Sequence, residues 1–196
     1  MQKMPKVLQL FAAVAGAITI YAWVIRYLLG TGPAPETLAF EQSAWIFWLY
    51  TLATFGALLL GPAAIITAVE EKRPHHLFNL MCLTNAWFGV GVGRAIGSDG
   101  YGGASMLFYW WGLAFVWTFL IAGSYLFARQ TRYLAMRDWT VYGYALSWLP
   151  AMTIISFPVW QAISDMSVDE AMITSVTMPF AGSFVLAHWC IIELLD

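Results

Sequence analysis

Charge is what this chain has least of. Only 10% of its 196 residues are Asp, Glu, Lys or Arg, against roughly 25% in a soluble domain. An ordinary hydrated surface is therefore excluded. The net charge of −2 also lacks the basic footprint of a nucleic-acid binder, so no nucleic-acid partner is expected. Cysteine is scarce as well. Cys82 and Cys190 both fall in apolar runs and are too few for a disulfide framework or a metal cluster. No apolar run holds a lysine, since Lys3, Lys6 and Lys72 all lie outside them; a Schiff-base cofactor inside a membrane span is excluded with it. G-x-S-x-G, H-E-x-x-H and P-loop patterns are absent, which removes the commonest hydrolase, metalloprotease and nucleotide-binding chemistries. His188 is the one histidine within an apolar run, whereas haem held by two axial histidines needs a pair at membrane depth. No cofactor and no resident metal are expected.

What the chain has in abundance is apolar sequence: 61% of its residues are of the AVILMFWYC set, and the mean hydropathy is +0.70. Six runs are long enough to cross a bilayer, which takes about 20 residues. They cover 7–29, 44–69, 77–96, 104–128, 139–163 and 171–195. The expected fold is all-α, a polytopic membrane protein in which a single domain, residues 1–196, forms a bundle of six transmembrane helices. Short turns place consecutive helices antiparallel and adjacent. Pro62, Pro150 and Pro179 are expected to interrupt three spans, because each removes a backbone donor. The first run is longer than the apolar region of a signal peptide and is expected to be retained.

Loop charges set the orientation. Lys3, Lys6, Lys72, Arg73, Arg129, Arg132 and Arg137 fall at the N-terminus or in the second and fourth turns, while the other turns carry only acids. By the positive-inside rule both termini are cytoplasmic, and a plasma (inner) membrane is the expected location. Trp45, Trp48 and Tyr50 read as an interfacial aromatic belt; Trp87 and Trp117 read as deeper.

The third span is the one with an unusual face. At about 100° per residue, Cys82, Asn85, Gly89 and Gly93 share a stripe about 80° wide. Such a stripe serves either a close helix contact, with Gly89 and Gly93 as a GxxxG pair open to a partner protein or a second copy, or a solute path with Asn85 as its polar contact. Arg26 and Arg94 lie near the outer ends of their spans and would tune entry of a solute, pair with acids or snorkel to headgroups. His188 shares a face with Thr174 and Thr177 on the sixth span. A small channel or transporter for a small polar solute is the leading expectation, with Asn85, Thr84, His188, Thr177, Arg94 and Arg26 as solute-contacting residues. A non-catalytic membrane subunit of a larger assembly is the alternative. An intramembrane enzyme acting on a lipid through Glu70, Glu71, His75 and His76 is the third reading, and a metal site at those four residues is the weakest.

Overall fold

The computed structural model describes residues 44–98, 103–163 and 165–192. The expected first span and Arg26 lie outside these residues. All regular structure among the described residues is helical: α1 (Ala44–Ile66), α2 (His76–Ser98), α3 (Gly103–Arg129), α4 (Tyr133–Ser147), α5 (Leu149–Ile163) and α6 (Val168–Cys190). Three helical stretches, Trp45–Glu71, Leu107–Arg129 and Val168–Cys190, are long and apolar enough to cross a membrane.

Local chemistry sets the helix ends. A π-helical turn, Thr67–Glu71, extends α1 and stops at Lys72 in the left-handed conformation (φ 54°). The ring nitrogen Nδ1 of His75 accepts the Phe78 amide at 3.1 Å, filling one of the donors a helix start leaves open. Ser167 and Glu170 form a reciprocal capping box at the start of α6, satisfying two such donors at once.

Prolines act differently from the sequence expectation. α1 runs unbroken through Pro62 and α6 through Pro179; a single lost donor is carried within the flanking helical bonds. Only Pro150 coincides with a break. The expected span 139–163 is two helices, α4 and α5, parted at Trp148, whose amide turns back to the Ala145 carbonyl at 3.2 Å. Pro150 cannot supply the donor that the Leu146 carbonyl would otherwise receive. α4 also begins earlier than expected, at Tyr133, which draws Arg137 out of the turn and into a position only 7% exposed. Its guanidinium pairs with Asp138 at 2.8 Å, as a buried charge requires.

α1, α2, α3 and α4 pack in sequence, with α4 closing back onto α1; α5 and α6 pair with each other, and α6 leans on α4. The main core gathers Ala57, Leu58, Cys82, Ala86, Trp117 and Leu146. A second cluster holds Tyr50, Val92, Trp110, Leu113, Leu149 and Val176. Small residues on the inner faces let rings enter: a Cβ on Gly61 would collide with the ring of Tyr144, and one on Gly123 with that of Trp139. One aromatic expectation is overturned. Tyr50 is 1% exposed and meets the edge of Trp110 rather than joining the exposed Trp45 and Trp48. Trp87 lies on the outer face, against Trp111 and Phe115, whereas Trp117 is fully buried.

Candidate functional site

The stripe of α2 faces the bundle interior. Cys82 and Asn85 are 0% exposed, and Gly89 and Gly93 are buried. Its neighbours come from three helices. The Cys82 thiol lies 3.7 Å from the Ser147 hydroxyl on α4. A Cβ on Gly89 would sit 2.9 Å from the Trp110 ring of α3 and 3.3 Å from Tyr50 of α1, and one on Gly93 would run into Trp110. The GxxxG notch is thus occupied by an indole side chain of the same chain, not by the backbone of another helix.

Asn85 is the exception within this packed seam. Neither its carboxamide oxygen nor its nitrogen has a hydrogen-bond partner, although the side chain is entirely buried. A buried amide without partners costs about 1–3 kcal/mol, so most such groups in proteins are satisfied. Other interior atoms share the condition, among them Oγ1 of Thr51, Nε1 of Trp110 and Nδ2 of Asn79. Trp110 lies toward the C-terminal end of α2, since it abuts Gly93; Asn79 is near the start of that helix. Several buried hydroxyls instead close onto their own helices, as Thr54 does onto the Tyr50 carbonyl at 2.8 Å and Ser147 onto the Gly143 carbonyl at 3.2 Å. Trp117 Nε1 donates to that same Gly143 carbonyl at 3.1 Å. Trp110, Thr51 and Ser147 were not singled out by sequence reasoning. A glycine pair four residues apart implies a bulky partner but does not say which of eleven tryptophans supplies it.

The remaining candidates are dispersed. Thr84, next to Asn85, is half-buried, and Arg94 is exposed near the end of α2. Thr177 is half-buried and its hydroxyl closes onto the Ile173 carbonyl of its own helix; the adjacent Val176 reaches the Trp110 cluster. His188 is exposed, with Nδ1 3.1 Å from the Tyr142 hydroxyl. Phe78 abuts Gly143, beside Tyr142, so His188 stands level with Phe78, roughly two helical turns from Asn85. The structure sets Trp110, Tyr50 and Ser147 against the other members of the Asn85 stripe, Gly89, Gly93 and Cys82, and pairs His188 with Tyr142.

Glu70, Glu71, His75 and His76, at the junction of α1 and α2, do not converge. Glu71 pairs with Arg73 at 2.5 Å, His75 caps α2, and His76 Nδ1 meets the Tyr125 hydroxyl at 2.7 Å with the two rings stacked. Among the described residues, no group of three His, Cys, Asp or Glu side chains is placed to hold a metal ion. Compared with protein families, curated proteins and solved structures, the chain matches none.

Proposed function

We propose that this integral membrane protein is a small transporter or channel for a small polar solute, built as one six-span domain in the plasma membrane with both termini cytoplasmic. The observation that carries this reading is the wholly buried, unpartnered carboxamide of Asn85 on the inward stripe of α2. A polar group held in an apolar bundle without a protein partner is where a permeating molecule finds its contact. Thr84 and Thr177 flank this region in the proposal, Arg94 and Arg26 serve the outer approach, and His188 serves the opposite end. The orientation is supported by the loop charges. The test is a solute-uptake panel in proteoliposomes, wild type against Asn85→Leu. Uptake lost in a variant that keeps its helical content supports the reading, and no uptake of any solute by wild type overturns it.

A second reading, a non-catalytic subunit of a larger membrane assembly, is favoured by one different observation. On the outward side of α2 and α3, Trp111 stacks on Phe115 and Trp87 meets both rings edge-on, at centroid distances of 5.9 to 6.1 Å, and all three are exposed. A contiguous aromatic face of this kind suits burial against another membrane helix. Co-purification of a stoichiometric partner from native membranes, together with absent flux, would move the assignment there.

A further inference from the structure

We infer that the solute is uncharged and carries both a hydrogen-bond donor and an acceptor, as a small amide or urea does; this rests on the transport reading above. Two observations point the same way. Asn85 leaves both an acceptor oxygen and a donor nitrogen open at a position with no exposure, and a carboxamide is matched best by a molecule that accepts and donates side by side. The surroundings are also free of ionised groups. Among the described residues, the buried polar side chains are hydroxyls and amides apart from Arg137, which sits at the start of α4 and is paired with Asp138. No carboxylate is among them.

An ion leaving water for such an interior meets no counter-charge, and its desolvation is far less favourable than that of a neutral dipole. A neutral solute needs only hydrogen bonds, and the seam offers them in succession. Asn79 stands toward one end of α2, Asn85 in the middle and Trp110 toward the other, each with an unpartnered donor or acceptor.

The test uses pairs matched in shape and opposed in charge: urea with guanidinium, and acetamide with acetate. Flux of each is measured in proteoliposomes of the full chain and in empty vesicles of the same lipid. The expected result is passage of urea or acetamide at least about tenfold above empty vesicles, a margin worth 1.4 kcal/mol, with both ions at background. Asn85→Leu and Asn85→Ala should each return the neutral flux to background while helical content and monodispersity are kept. Asn85→Asp, which puts a carboxylate in the seam, should raise guanidinium relative to urea. Passage of an ion in preference to its neutral partner would overturn the inference and leave the transport reading standing. Flux of neither class would overturn both. Neutral flux untouched by either neutral Asn85 variant would overturn the assignment of the solute contact to Asn85.

Discussion

The indole of Trp110 on α3 fills the notch that Gly93 leaves on α2, so closely that no side chain at all fits between them. Gly89, one turn earlier, faces the other edge of the same ring. This interlock joins the second and third described helices near one end of the bundle and determines what the glycine pair is for.

Gly93→Ala should therefore destabilise the protein. Helix propensity favours alanine by about 1 kcal/mol, but overpacking a rigid ring typically costs about 1–3 kcal/mol, and an indole cannot yield as a methionine end does. The expected outcome is a lower thermal midpoint in detergent, partly recovered in the Gly93→Ala, Trp110→Leu double variant. Gly112 on the exposed side of α3 is the control, because a Cβ there meets nothing within 4 Å. Gly112→Ala should be neutral or stabilising.

Asn85→Leu should behave in the opposite way. Replacing a buried amide that has no partners by an apolar side chain of similar branching removes a desolvation cost of about 1–3 kcal/mol, offset in part by the greater bulk of two methyl groups in place of the amide oxygen and nitrogen. The thermal midpoint is expected to stay level or rise. A fall comparable to that of Gly93→Ala would mean that Asn85 is tied into the bundle by hydrogen bonds, and the solute-contact role would be abandoned. Stability gained as transport is lost is the signature of a residue kept for function.

Trp117→Phe tests the joint between α3 and α4. The variant keeps the aromatic bulk yet loses the Nε1 bond to the Gly143 carbonyl, and a bond of this kind between membrane helices contributes about 1 kcal/mol. A lower thermal midpoint is expected, with faster amide exchange across the Gly143 region. An unchanged midpoint would place the stability of that joint in packing alone.

Much of the helical layout was legible in the chain. The runs expected at 44–69, 77–96 and 104–128 coincide with α1 and its π-helical extension, α2 and α3 to within a few residues, because apolar runs of that length have few other ways to satisfy their backbone. The break at Trp148 was not legible as a position. Pro62, Pro150 and Pro179 look alike in sequence, and only Pro150 coincides with a helix boundary. Tyr50 was misread for a related reason: two tryptophans nearby mark an interface, but the rotation of about 200° from Trp48 to Tyr50 sends Tyr50 inward while Trp45 and Trp48 remain outside.

By itself the sequence determined the class of molecule, the small-and-polar stripe on one helix and the asymmetry of charge between its turns, since these depend on composition and on the 3.6-residue period alone. Only the tertiary structure decided what the stripe touches. Trp110 is 21 positions from Gly89 by residue number, Ser147 is 65 from Cys82, and no periodicity within one helix specifies which face of another comes to meet it. The same contacts close Gly89 and Gly93 with aromatic rings and leave the carboxamide of Asn85 without a partner inside the protein, and that difference turns on distances of an ångström or two.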